Sequence, residues 1–303
     1  MNREEVLQEY PFSTETGRKM VVGTDIDALL SAAYMQTYYD WEVIGFYDFS
    51  NVYYDSSENP LDAVWLDLDI SRKDVESIGH HILTEGSTVP EAHPSSLNPN
   101  LLRGMNHENF SRKFPTSTLH FLMWLHGYDK DFLYEQSALC WLADSAWING
   151  QQHRYKDNVQ DWVEELPGGP FNSKMSAAID TEQFEECIEE DIIPAIERAG
   201  WAVGRTQVQS RHRSLKGFQC SFNDPREEYE ELEELAHYIS WELPFEELEL
   251  PEIDEVTYGN RSTESLEDIG ESYGGLEELA NDNFVFSYAE TFPGTVNVTG
   301  GIF

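Results

Sequence analysis

The chain has 303 residues, 40% hydrophobic and 13% aromatic, and 19 basic against 57 acidic side chains give it a formal net charge of −38. That is enough apolar material for a sizeable core and for more than one domain. The acidic field acts over a Debye length of about 8–10 Å and disfavours long duplex DNA as a ligand.

The acid is uneven: residues 1–150 carry 9 basic and 23 acidic side chains, and residues 151–303 carry 10 and 34. Three uses of such a surface stay open: solubility, including in high salt; docking of a basic protein partner; and imitation of a DNA backbone. The sequence holds no run of about 18 apolar residues, so no membrane-spanning helix is expected. The start "MNREEVLQEYPF" lacks the apolar centre of a signal peptide. A soluble, cytoplasmic protein is therefore the expectation. Cys140, Cys187 and Cys220 lie far apart without CxxC spacing, which argues against a disulfide framework or a zinc ribbon.

In chain order, Arg18 to Asp27 ("RKMVVGTDID") reads as an apolar strand with a polar end. Ala28 to Tyr39 follows as a helix of small and helix-forming residues. Trp41 to Phe49, Asp62 to Ile70 and the short Val75 to Ile82 read as further strands. Strands separated by helices or short crossovers predict an α/β domain with a mostly parallel sheet flanked by helices. Residues 84–115 are rich in Pro, Ser and Asn and read as loop. "PTSTLHFLMWLHGY" starts with Pro and Ser/Thr and reads as an apolar helix, and Asp131 to Ile148 reads as buried.

The second half changes character. "DTEQFEECIEEDIIPAIERAG" reads as a helix ending at Gly200, and "WAVGRTQVQSRHRSLKGFQCSF" reads as strands. "DPREEYEELEELAHYISWEL" is an acidic amphipathic helix with Tyr229, Leu232, Leu235 and Ile239 on one face. "PFEELELPEIDEV" and "GNRSTESLEDIGESYGG" read as acidic loops, and the tail "FVFSYAETFPGTVNVTGGIF" reads as strands joined by a Pro-Gly turn. The expected division is an α/β domain over residues 1–165 and an acidic α+β domain over residues 166–303.

The chemistry gathers at the strand ends of the first half. Asp25 and Asp27 close "VVGTDID", Asp67 and Asp69 close "VWLDLD", His80 and His81 close "SIGHH", and Asp144 follows the apolar "CWLAD". In a parallel sheet such residues meet at the carboxyl rim, where ligands bind. Carboxylates brought together there repel one another unless a cation lies between them. Asp and neutral His suit Mn²⁺, and oxygen-rich sites also suit Mg²⁺. Metals in such sites activate water and stabilise phosphoryl oxygens.

The order strand–DxD, strand–Asp, strand–xHH and apolar segment–Asp resembles the DHH phosphoesterase superfamily over about Lys19 to Asn158. "GTDIDALLSAA", "AVWLDLDI", "SIGHHI" and "LADSAW" are similar to its four motifs. The resemblance implies that Asp25, Asp27, Asp67, His80 and Asp144 are ligands to one or two Mn²⁺ or Mg²⁺ ions, with His81 on the scissile phosphate. His80, His81 and Asp27 would be the catalytic set. It further implies a small nucleotide or short oligonucleotide as substrate.

The departures are specific. Gly79 stands where the family has the leading Asp of its DHH triplet, Val21 stands where many members have His, and Gly23 where exonuclease-like members have Asp. Asp69 has no counterpart in the pattern. These changes are compatible with one ion instead of two, with weaker binding, or with an inactive scaffold that serves as an acidic binding protein.

Each motif also has a plainer reading. Asp after a strand commonly caps the following helix, adjacent histidines occur in ordinary loops, and Asp144 could be a local cap. The island Arg205, Arg211, His212, Arg213 and Lys216 either neutralises nearby acid or, through Arg211 and Arg213, holds a substrate phosphate.

Overall fold

The computed structural model describes residues 1–86, 90–151, 154–199 and 221–303. The predicted strands over 201–222, the Gly200 helix end and the island containing Arg211 and Arg213 lie, apart from residues 221–222, outside the described residues. The chain is an α/β protein, and it forms two compact units, neither of them one continuous stretch. The first comprises Met1–Thr16, Thr24–Asp40 and Pro115–Glu249; the second comprises Gly17–Gly23, Trp41–Phe114 and Leu250–Phe303. Among the described residues, no helix is long and apolar enough to cross a membrane.

Helices dominate the described part of the first unit. The helix Ile26–Tyr39 begins at Asp25, whose extended backbone (φ −122°, ψ 178°) and carboxylate cap the Ala28 N–H. Its first ten residues, Ile26 to Met35, are all buried, as expected for a helix enclosed on every side. Ala28, Ser31, Ala32 and Ala33 keep that helix slim. It ends at Asp40, which turns left-handed (φ 57°) and returns its N–H to Gln36. It packs against Thr118–Leu125, all eight of whose residues are buried, and against Tyr229–Glu242. The latter buries Leu232, Leu235, Ala236 and Ile239, nearly the stripe read from the sequence. The predicted helix before Gly200 is present from Glu182 to Arg198, with a π turn at Ile188–Ile192 just before Pro194. That turn changes the hydrogen-bond register where proline has no N–H to give.

Among the described residues, the second unit holds ten strands: β1 Lys19–Val22, β2 Glu42–Tyr47, β3 Asn51–Tyr54, β4 Val64–Leu66, β5 Ser77–Ile78, β6 Ser96–Leu97, β7 Glu255–Tyr258, β8 Asn260–Ser265, β9 Val285–Phe292 and β10 Thr295–Gly300. Seven form one mixed sheet in the order β6-β5-β4-β1-β2-β3-β7. The run from β6 to β2 is parallel, and β3 and β7 add antiparallel pairs at one edge. β1 and β4 are almost wholly buried, which is why they read as continuous apolar runs and not as alternating ones.

The remaining strands form a three-stranded antiparallel sheet, β8-β10-β9. Its β9–β10 turn is the predicted Pro-Gly turn, with Gly294 at φ 77°. β9 also reaches the chain just beyond β4 and β5. Ser71 N donates to Phe286 O at 2.8 Å, and Glu290 N donates to Ile82 O at 3.0 Å. The loops that follow β4 and β5 are thereby tied down on their far side.

Three elements departed from the sequence reading. The loop-like 84–115 contains β6 and the helix Pro99–Arg103. "GNRSTESLEDIGES" contains β8 and the helix Leu266–Ser272, and "PEIDEV" runs into β7. β8 is nearly all exposed. Its backbone ladder forms without an apolar face, so the period-2 signal that marks most strands is missing.

Three histidines are structural. His93 Nδ1 donates to Ile70 O (3.0 Å), and burial pushes its pKa down to about 4. His120 lies between Thr116 Oγ1 and Leu166 O and is pushed down by burial to about 3. His126 donates to Ser13 O (3.0 Å), stacks on Tyr34 and is pushed down by burial to about 4. An unfolded histidine takes up its proton near pH 6.5, whereas each of these stays neutral in the fold well below that. The unfolded state therefore binds more protons as pH falls, and stability is lost from about pH 6.5 downward. At up to about 1.4 kcal/mol per pH unit for each histidine, thermal melts should show Tm falling clearly between pH 7 and pH 5. A His93→Gln variant should show a shallower decline, and a Tm flat over that range would contradict the burial of these rings as neutral species.

Candidate metal centre

The carboxyl ends of β4, β5 and β6 lie side by side because the three strands are parallel, with Leu66 opposite Ile78 and Ile78 opposite Leu97. Each is followed at once by polar residues: Asp67 and Asp69, His80 and His81, Asn98 and Asn100. Asp67 is in the left-handed region (φ 61°), a conformation Asp tolerates better than most residues but at some cost. The ladder resumes beyond it, with Leu68 N on Ile78 O at 3.0 Å. The turn places Asp67 Oδ1 3.4 Å from His80 Nδ1, and both side chains are 6% exposed.

Asp69 makes a second pair. Its Oδ2 accepts from the His81 backbone N–H (3.1 Å) and meets His81 Nδ1 at 3.0 Å. Its Oδ1 accepts from Asn98 Nδ2 at 2.8 Å. Burial alone would raise the pKa of this carboxyl. The hydrogen bonds from His81 and Asn98 and the charge of His81 outweigh that, and hold it below the ordinary carboxylate value. An ionised carboxylate only accepts, so His81 Nδ1 carries the proton. The His80 and His81 rings stack at 4.9 Å and 16°, and Phe114 lies edge-on to His80.

The asparagines, which the sequence reading passed over, hold the histidine loop. Asn98 Oδ1 caps the helix Pro99–Arg103, while its Nδ2 reaches both Asp69 and His81 O (2.9 Å). Asn100 Nδ2 donates to His80 O, and its Oδ1 accepts from Phe114 N (2.7 Å). Both are fully buried. "SLNPN" falls in the stretch 84–115 read as loop, and nothing local marks the reach to the histidines.

Asp27, 1% exposed, is bound at the start of another helix. Its carboxylate accepts from Thr118 N (2.7 Å), Leu119 N (3.2 Å) and Ser31 Oγ (3.3 Å). Thr118 and Leu119 open the helix Thr118–Leu125, whose free N–H groups and dipole favour an anion there.

Asp67 and His80, both buried, could serve as ligands to a metal ion. A carboxylate and an imidazole are donors suited to a divalent cation such as Mn²⁺, Mg²⁺ or Zn²⁺.

Asp25 is the helix cap described above. Asp144 is exposed, in a left-handed turn (φ 48°) within Ala143–Ser145. His81 stands beside His80, paired with Asp69. Compared with known proteins, the chain matches no family model, no curated protein and no solved structure.

Gly79 is explained by Asp69. A Cβ at position 79 would lie 2.5 Å from Asp69 Cγ and Oδ1 and 2.6 Å from Oδ2. The carboxylate fills the space that any larger residue would need, and its hydrogen bonds resist displacement. Gly79→Ala should therefore destabilise the protein by about 1–3 kcal/mol, the usual range for overpacking. Gly86→Ala, where an added Cβ would meet nothing within 4 Å, should change stability far less. Urea unfolding of the two variants checks this, and equal midpoints would show that the Asp69 carboxylate moves aside freely.

Proposed function

We propose that this protein is a metal-dependent phosphoesterase of the DHH kind, acting on a small nucleotide or a short oligonucleotide with Mn²⁺ or Mg²⁺. The observation that carries the reading is the buried pair Asp67 and His80, 3.4 Å apart at the rim of the parallel strands. The two come from two of the four motifs that suggested the family. They would hold one ion, and the resemblance adds Asp27 as a further ligand. Bound there, a divalent ion supplies Lewis-acid charge to phosphoryl oxygens and makes water more acidic.

The protein's own groups have distinct parts in this reading. The helix start at Thr118 and Leu119 fixes the Asp27 carboxylate, so that it needs little reorganisation on binding an ion. Asn100 fixes the His80 backbone, and the stacked His81 ring lies next to the substrate phosphate. In the hydrolysis, a water oxygen forms the new bond to phosphorus and the bond to the leaving alcohol oxygen breaks. One proton from the water ends on that alcohol.

The test begins with metal analysis of the purified protein and Mn²⁺ titration by calorimetry. Hydrolysis is then assayed over a panel of phosphomonoesters, phosphodiesters and short oligonucleotides. Wild type should bind Mn²⁺ and turn over at least one member of the panel. Asp67→Asn and His80→Gln should each weaken Mn²⁺ binding at least tenfold and reduce turnover at least a hundredfold, with the far-UV circular dichroism unchanged. Asp27→Asn should show a lower Tm as well, because it also weakens the anchor of the helix Thr118–Leu125. A wild type with neither metal uptake nor hydrolysis would replace this reading with that of an acidic binding protein.

A further inference from the structure

We propose that Asp69 is a positioning residue for His81: from beyond β4 it supplies the carboxylate that position 79 has no side chain to provide. It thereby keeps His81 Nε2 unprotonated, an acceptor for the water that attacks the substrate phosphorus. The inference rests on the phosphoesterase reading for the identity of the substrate, but its geometric part stands apart from that reading.

Space comes first. The loops after β4 and β5 enclose one carboxylate-sized volume beside the histidine pair. A side chain at 79 would begin inside it, 2.5 Å from the atoms of the Asp69 carboxylate that occupy it. Positions 69 and 79 therefore exclude each other, and a single acid can enter from either loop. In this chain it enters from 69, and glycine at 79 is the condition that lets it.

The hydrogen bonds come next. Both Asp69 oxygens are engaged, Oδ2 by the His81 N–H and ring and Oδ1 by Asn98. Asn98 is itself fixed as the cap of a helix. His81 is thus gripped at its backbone and at Nδ1 by one rigid acceptor, while stacking on His80 sets its ring plane. A ring nitrogen bound to a carboxylate decides the tautomer of the whole imidazole. With the proton of Nδ1 committed to Asp69, Nε2 carries none and can accept a proton from a water.

Exposure separates the roles. The Asp69 side chain is 1% exposed and that of His81 is 21% exposed. The buried member of the pair cannot meet a substrate directly and acts through the member that can. The arrangement follows the common pattern in which a buried carboxylate orients a histidine whose far nitrogen does the chemistry.

The experiment compares wild type, Asp69→Asn, Asp69→Ala, Gly79→Asp and the double variant Asp69→Ala/Gly79→Asp. Three readouts are used. The first is the ¹⁵N spectrum of the His81 ring at a pH where it is neutral. The second is Mn²⁺ affinity, and the third is kcat and KM for bis-p-nitrophenyl phosphate and a dinucleotide. In wild type the His81 ring should be the Nδ1–H tautomer, and Asp69→Asn should shift it toward Nε2–H. Asp69→Asn and Asp69→Ala should lower kcat about 10–100-fold, the range for lost orienting partners of a site, with Mn²⁺ affinity changed much less. Gly79→Asp alone should be impaired, because two carboxylates then contend for one volume. The double variant should regain at least tenfold of the kcat lost in Asp69→Ala, a rescue that a purely structural role for Asp69 would not give.

A His81 tautomer unchanged in Asp69→Asn overturns the inference, whatever the activity. So does a double variant no faster than Asp69→Ala. If wild type neither binds Mn²⁺ nor hydrolyses either probe, the phosphoesterase reading fails and takes the substrate role of Nε2 with it. The tautomer comparison then still decides whether Asp69 orients His81.

Discussion

The parallel register of β4, β5 and β6 is the constraint on which the rest of the site depends. It sets Leu66 beside Ile78 and Ile78 beside Leu97, so the residues just beyond each strand share one rim. Two acidic side chains, two histidines and two asparagines are thereby brought together with little intervening chain. Burying so many polar groups is costly unless each finds a partner. The pairs His80–Asp67 and His81–Asp69, with Asn98 and Asn100 on the loop backbone, provide those partners.

The same rim shows how a buried charge can fix a neighbour's identity. The Asp69 carboxylate is held as an anion because His81 and Asn98 direct donors at it. Once there, it leaves no volume for a side chain at 79. Glycine at that position is thus neither a turn residue nor a simple loss, but the complement of an acid ten positions earlier. Histidine chemistry divides along similar lines. His93, His120 and His126 are closed inside the units and kept neutral by burial. His81 keeps part of its ring in solvent. Burial and partners, not residue type, separate structural imidazoles from those available for chemistry.

The acidic surface raises a separate point of organisation. The strongly acidic stretch around Leu250 to Ser272 reads as linker, yet it contributes β7 to the seven-stranded sheet, where Val52 pairs with Thr257 and Tyr53 with Val256. Its acidic side chains carry the charge, while its backbone completes the sheet edge. Charge and structure are separated between side chain and main chain, which is why composition alone suggested a loop.

Much of the sheet and of the metal group was legible in the sequence, for reasons that are local. β1, β2 and β4 are buried apolar runs, Asp25 is a cap one residue before a helix, and Asp67 and His80 each stand immediately past a strand. Their joint appearance at one rim followed from the parallel order. Only the tertiary structure decided the rest. It set Asp25 to capping and left Asp144 exposed, since both sit after apolar segments and no local pattern distinguishes them from Asp27. It recruited Asn98 and Asn100 through hydrogen bonds that span 17 and 20 residues. It joined β7 to β3 across about 200 residues of chain. It placed the Asp69 carboxylate on Gly79, because the volume beside a glycine belongs to whichever strand lies next to it. Strand order and register set that neighbour, and neither is written in the residues on either side of Gly79.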